Sequence, residues 1–139
     1  MDKSTQFRTG RHCVFQMHAH LVFVTKYRYK VLEGYMFPTL KMLFEKVCED
    51  FETTLVEFDG EEDHVHLLVN FPPKVAVAKL VNSLKGVSSR KLKRHHPEVA
   101  DRYFKGALWS PSYFAASCGG APLEMIKHYV QQQKTPTVR

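Results

Sequence analysis

The chain has 139 residues, enough for one domain with a core of its own and no need of disulfide or metal staples. Hydrophobic residues make up 44% of it, which excludes a disordered chain, and a formal charge of +6 with a pI near 9.3 favours a polyanionic partner, nucleic acid before an anionic membrane surface. No apolar run approaches the roughly 20 residues of a membrane span, and no apolar signal core follows the charged start, so a cytoplasmic location is expected. Cys13, Cys48 and Cys118 are odd in number and form no CxxC pair, so they read as reduced thiols rather than a zinc-thiolate site.

Taken in order, residues 1–11 are polar and predict a loose arm. From Val14 to Thr25 the sequence VFQMHAHLVFVT is rich in β-branched and aromatic residues and predicts one long central strand. His18 and His20 within it repeat the i, i+2 spacing of the later histidine pair and are rivals for a metal, but no acidic or amide partner at helical spacing supports them, so a structural or substrate-facing role is assigned to them. Lys26-Tyr27-Arg28-Tyr29-Lys30 interleaves cations with aromatics, a pattern that can hold phosphates and stack bases. The same pentad is also compatible with a plain solvated loop.

A first helix is predicted from Tyr35–Pro38 onward, with Leu40, Leu43, Phe44, Val47 and Phe51 forming its apolar stripe. Phe51 to Phe58 predicts a second strand, and Asp59-Gly60 a turn into a third, making a hairpin. Lys74 to about His95 predicts a second helix, buried through Val77, Leu80, Val81, Leu84 and Val87 and stopped by Pro97. Its end carries Arg90, Lys91, Lys93 and Arg94, more cations than the helix dipole requires, which points to phosphate contact. Leu108-Trp109-Ser110-Pro111 reads as a turn, Ser112 to Cys118 as a fourth strand and Gly119-Gly120 as a joint. A final helix runs from Leu123 to about Gln133, with Pro122 at its start and Pro136 as its stop. The β-α-β-β-α-β order predicts an α+β, ferredoxin-like domain spanning 1–139: a four-stranded antiparallel sheet with two helices on one face, plus a C-terminal helix at 121–134. Nucleic-acid-binding domains share this arrangement, so the fold alone does not decide activity.

The third strand, Asp63-His64-Val65-His66-Leu67-Leu68-Val69, alternates so that His64 and His66 leave one face and Val65 and Leu67 the other. Two imidazoles side by side on a strand form half of a metal site, though the pair alone reads first as two polar residues on a solvated face. Tyr129 and Gln133 lie one turn apart on the last helix. An amide oxygen added to two imidazoles gives an N,N,O donor set with positions left for water and a phosphate oxygen, and Tyr129 would then stand beside that phosphate. Spacing does not say whether the helix reaches the strand. Glu62 shares the parity of the histidines and is a candidate to assist the metal, or a solvated hairpin carboxylate.

Four blocks together, HLVFVTKYRYKVL at His20–Leu32, EDHVHLLV at Glu62–Val69, LWSPSYF at Leu108–Phe114 and IKHYVQQQ at Ile126–Gln133, resemble the single-tyrosine HUH transposases, the insertion-sequence-200-like group. The resemblance implies that His64, His66 and Gln133 bind a divalent ion, magnesium or manganese. It implies that Tyr129 attacks a phosphodiester of single-stranded DNA, leaving a 5′-phosphotyrosine and a free 3′-hydroxyl. It implies a homodimer in which the last helix can serve the partner's histidine strand, and hairpin recognition, for which Lys26, Tyr27, Arg28, Arg90, Lys91, Lys93 and Arg94 are the candidates. The rival readings are a non-catalytic nucleic-acid-binding module on the same fold, a replication or conjugation nickase with the same histidine pair, and a domesticated transposase.

Overall fold

The computed structural model describes residues 7–10, 12–103, 106–117 and 123–133, and for 123–127 the backbone alone. Strands β1 (Arg8–Thr9) and β2 (Val14–Phe15) pair as a small antiparallel ribbon. They are followed by β3 (His18–Val24), α1 (Phe37–Asp50), β4 (Thr54–Glu61), β5 (His64–Asn70), α2 (Val77–His95), α3 (Pro97–Arg102), β6 (Phe114–Ser117) and α4 (Leu123–Gln132). The main sheet has four strands in the order β4-β5-β3-β6, every neighbouring pair antiparallel. Helix α1 therefore joins two parallel strands across β5, and α2 joins two across β3. This interleaved pair of split βαβ units is the ferredoxin-like arrangement that the element order predicts.

The alternation of β5 sorts its side chains as expected. Val65, Leu67 and Val69 enter a large apolar cluster with Leu21 and Phe23 of β3, Leu40, Phe44 and Val47 of α1, and Leu80, Val81 and Leu84 of α2. The opposite face carries a much smaller cluster, in which Val22 and Val24 of β3 are covered by Val130 of α4, with Phe114 and Tyr129 packed alongside. The face left open in the sequence-based reading is thus partly roofed by the last helix.

Three expectations need correction. Residues 7–10 are not a loose arm: the Arg8 guanidinium donates to Asn70 O and Oδ1 and to Glu52 O, and its flat face lies 5.0 Å from the centre of the Phe15 ring. The long first strand is broken at Gln16–Met17, dividing β2 from β3. Asp59-Gly60 is not the hairpin turn, because Asp59 pairs with His66 and Gly60 with Val65 inside the ladder. A bulge between Leu55 and Glu57 shifts the register, β4 continues to Glu61, and the chain turns at Glu62–Asp63. Gly60 serves close approach: a Cβ there would stand 2.5 Å from the His64 carbonyl oxygen.

The expected Gly119-Gly120 joint, together with Cys118, Pro122, Pro136 and residues 1–6 and 11, lies outside the described residues. Among those that are described, no helix is long and apolar enough to cross a membrane.

Candidate metal and nucleic-acid site

His64 and His66 stand on β5 between β4 and β3, each held in the ladder on both sides: Glu61 and Val24 flank His64, while Asp59 and Val22 flank His66. Their rings face each other with centroids 6.3 Å apart and planes inclined by 26°. Both line an open cleft of about 1010 Å³ whose other walls are Arg28, Lys30, residues 59–63, Val130 and Gln131. Burial pushes the His66 pKa down, with His64 and His20 adding to the fall and Asp59 and Glu57 opposing it. His66 is therefore held in the neutral form, the one with a lone pair for a metal.

Among the described residues no three His, Cys, Asp or Glu side chains converge on one point. A divalent ion held here needs its remaining donors from elsewhere, such as an amide oxygen, water or a phosphate. Two imidazoles beside open space leave room for those donors, so the residues fit the ion that the resemblance implies. Strand parity favoured Glu62, which does line the cleft, but Glu61 is the carboxylate that approaches His64, with Oε2 3.7 Å from Nε2. Glu61 is the cross-strand partner of His64, and directly paired residues share a face, a signal the sequence yields only once the register is known. Asp63 was also missed. It belongs to the turn rather than the strand, so parity did not apply to it, and its Oδ1 lies 3.0 Å from His64 Nδ1.

The last helix reaches the same face of the sheet, but Val130 and Gln131 line the cleft rather than Tyr129 and Gln133. The Tyr129 hydroxyl shares a hydrogen bond of 2.9 Å with Ser112 Oγ, and its ring packs on Phe114. Gln133 Oε1 accepts from Ser110 Oγ at 3.2 Å and Ser112 Oγ at 3.1 Å. Their one-turn spacing thus brings both side chains to one partner, Ser112. Burial pushes the Tyr129 phenol above its ordinary pKa, so it is fully protonated at neutral pH.

The segment that grips them is itself fastened to α2. Lys85 Nζ donates to the carbonyls of Ser110, Pro111 and Ser112, Trp109 Nε1–H to Ser88 Oγ at 2.8 Å, and the Leu108 N–H to Ser89 Oγ at 3.0 Å. Ser88 and Ser89 are buried polar residues inside an apolar helix face, and these bonds explain their presence.

The basic and aromatic candidates separate in space. Lys26–Arg28 forms a short 3-10 turn in which Tyr27 (φ 64°) and Arg28 (φ 55°) are both left-handed, a strained pair for non-glycine residues. The turn is held by Thr25 Oγ1 donating to Tyr29 O and by Tyr103 Oη donating to Lys26 O. Tyr27, Tyr29 and Tyr103 pack in series with tilted rings, centroids 5.5 and 5.6 Å apart, and Arg102 lies 4.0 Å over Tyr29. Arg28 lines the histidine cleft, while Lys26 and the half-exposed Tyr27 stand beside it on the turn. On α2, Arg90 and Arg94 are exposed, Lys91 is half-buried and Lys93 is spent on the Gly106 carbonyl, and none of the four lines the cleft. Arg102 was absent from the sequence-based set because it lies in α3, a helix too short to show periodicity.

Comparison with known proteins places the chain in a family and matches its fold. The family described as "Transposase IS200 like" matches residues 13–133. The ISDra2 transposase TnpA of Deinococcus radiodurans is 30% identical over 128 residues, covering 92% of this chain and 91% of that protein. The transposase for insertion sequence element IS200 of Salmonella typhimurium is 27% identical over 136 residues, covering 96% and 87%. Among solved structures, a candidate transposase from Deinococcus radiodurans R1 superposes with a TM-score of 0.82 at 28% identity, covering 93% of this chain and 99% of that one. A REP-associated tyrosine transposase bound to a REP hairpin superposes at 0.55 and 12% identity, covering 88% and 67%, a likeness of fold alone. The chain belongs to the IS200-like transposase family.

Proposed function

We propose that this transposase binds hairpins in single-stranded DNA at the ends of an insertion sequence and cuts and rejoins strands through Tyr129. The observation that carries the reading is the cleft itself: two imidazoles on one strand face, His66 held neutral, with Arg28 and Lys30 on the rim and the tyrosine helix docked on the same face.

In the proposed chemistry the Tyr129 oxygen attacks the scissile phosphorus as its proton is lost to solvent, and the departing 3′ oxygen takes one up, so that the net proton moves from the phenol to the leaving group. The bond to the 3′ oxygen breaks, leaving a 5′-phosphotyrosine and a free 3′-hydroxyl. The phosphodiester energy is kept in the covalent ester, so a second 3′-hydroxyl can displace the tyrosine and reseal a strand. His64, His66 and Gln133 would hold a magnesium or manganese ion, which when bound polarises the phosphate and offsets the charge that develops on it. Arg28 and Lys30 would attract the DNA backbone into the cleft, with Lys26 and Tyr27 adding charge and a stacking surface beside it.

Reaction requires Tyr129 and Gln133 to exchange Ser112 for the histidine cleft of their own chain or of a partner in a homodimer. Among the described residues, what holds them is a set of hydrogen bonds to Ser110 and Ser112, each worth about 0.5–1.5 kcal/mol net, with Val130 on Val22 and Val24 and the Tyr129 ring on Phe114. A composite dimeric site meets the requirement directly.

The test uses end-labelled single strands copied from the DNA flanking the gene, incubated with protein and Mg²⁺ or Mn²⁺ and run on a denaturing gel. The expected result is a metal-dependent protein–DNA adduct, absent in Tyr129→Phe and in His64→Ala, with hairpin binding retained in Tyr129→Phe. Hairpin binding with no adduct, for either ion and both strands, would replace this reading with that of a binding module.

A further inference from the structure

We infer that Asp63 is a positioning residue for the metal ligand His64 and that Arg28 holds Asp63 in place, an inference that rests on the proposal that His64 and His66 bind a divalent ion. Asp63 is 8% exposed at the turn between β4 and β5, and both of its carboxylate oxygens are engaged. Oδ1 lies 3.0 Å from His64 Nδ1, and Oδ2 lies 3.3 Å from Arg28 Nε. Its backbone is fixed as well, because the Asp63 carbonyl accepts the Thr25 N–H at 2.9 Å and the Thr25 hydroxyl at 3.2 Å.

An ionised carboxylate only accepts hydrogen bonds, so the hydrogen of a neutral His64 ring belongs on Nδ1. The lone pair is then left on Nε2, the atom that approaches Glu61 Oε2 across the strand pair. With an ion on Nε2, carboxylate, imidazole and metal would stand in the order that fixes the tautomer and orientation of a ligand histidine. Arg28 completes the chain at the cost of local strain: it reaches Asp63 from a turn in which it and Tyr27 are both left-handed. Strain of this kind persists where the surroundings impose it, and an Arg28–Asp63 pair between 25% and 11% exposed supplies that restraint. The KYR segment and the DH dipeptide, read from sequence as a loop motif and a strand start, are in this account one device.

The experiment uses the whole chain without DNA, in two arms. Mn²⁺ binding is measured by calorimetry for the wild type, His64→Ala, Asp63→Ala, Asp63→Asn and Arg28→Gln. The His64 tautomer is read in the metal-free wild type by long-range ¹⁵N–¹H NMR at a pH where imidazole is neutral. The expected results are an Nδ1–H tautomer and an Mn²⁺ affinity about 10–100-fold weaker in Asp63→Ala. Asp63→Asn should lose less, since its amide oxygen still accepts from Nδ1–H, and Arg28→Gln should also lose less than Asp63→Ala. An Nε2–H tautomer in the wild type, or an Asp63→Ala affinity equal to that of a binding wild type, overturns the inference alone. A wild type that binds Mn²⁺ no better than His64→Ala overturns the metal reading and the inference with it.

Discussion

The attachment of α4 to the sheet can be weakened by a calculable amount. Val130 is 6% exposed and lies on Val22 and Val24, both fully buried, so Val130→Ala removes two buried carbons from that contact. At about 0.8 kcal/mol for each buried carbon, the loss is about 1.5 kcal/mol. The additional cost of a trapped cavity is small, because Val130 also lines the open cleft and solvent enters the space it leaves. A change of about 1.4 kcal/mol is tenfold in an equilibrium constant, so local opening of α4 should become roughly ten times more frequent. Amide hydrogen exchange reads this directly: the backbone of Tyr129–Gln133 should exchange about tenfold faster in Val130→Ala. The amides of β3 and β5, released only by opening of the sheet, should keep their rates. Unchanged protection in α4, or an equal loss in both regions, would refute the account of α4 as a separately docked element.

Three further outcomes follow from other contacts. Ser88→Ala leaves the buried Trp109 N–H without its acceptor and should cost about 1–3 kcal/mol in urea unfolding; a wild-type midpoint would show that the bond does not hold the Leu108–Ser112 segment. Gly60→Ala places a methyl group 2.5 Å from the His64 carbonyl oxygen, so the same assay should show a loss of about 1–3 kcal/mol, together with shifted NMR signals for His64 and His66. Burial pushes the Tyr103 phenol from its ordinary 10.0 up to about 12. Because its folded pKa is the higher one, its contribution to stability is complete below pH 10.0 and is lost as pH rises towards about 12. Denaturant midpoints of the wild type and Tyr103→Phe over that interval should converge, and parallel curves would contradict the assignment.

The legible parts of the sequence were those governed by periodicity. The alternation in His64–Val69 assigned each side chain to its face, and the stripes of α1 and α2 named the residues that fill the core. Signals that depend on a partner strand or a local conformation were not legible. Asp59-Gly60 reads as a turn because glycine often turns, whereas here it admits the neighbouring backbone. The bulge at Leu55/Glu57 that carries β4 past it has no one-residue signature. Glu61 and Asp63 were hidden for the same reason, since their relation to His64 is set by register and by a tight turn. Tyr129 and Gln133 were rightly placed on one helical face, but spacing says nothing about Ser112, which holds both.

The two halves of the candidate site are thus anchored differently, and that decides how its variants should be read. The histidines sit on a central strand bonded to neighbours on both sides, over a core packed by α1 and α2. The tyrosine and glutamine sit on a helix whose described apolar anchor is Val130, with Phe114 and Tyr129 beside it. Changes on the helix-facing side of the sheet therefore act on the whole fold, and a lost activity there says little about chemistry. Changes on the cleft side leave that core intact. Tyr129→Phe keeps the ring on Phe114 and gives up one hydrogen bond to Ser112, about 0.5–1.5 kcal/mol of local contact. That cost shifts the position of a helix and does not unfold a domain, so complete loss of the adduct in Tyr129→Phe identifies the hydroxyl itself as the group that reacts.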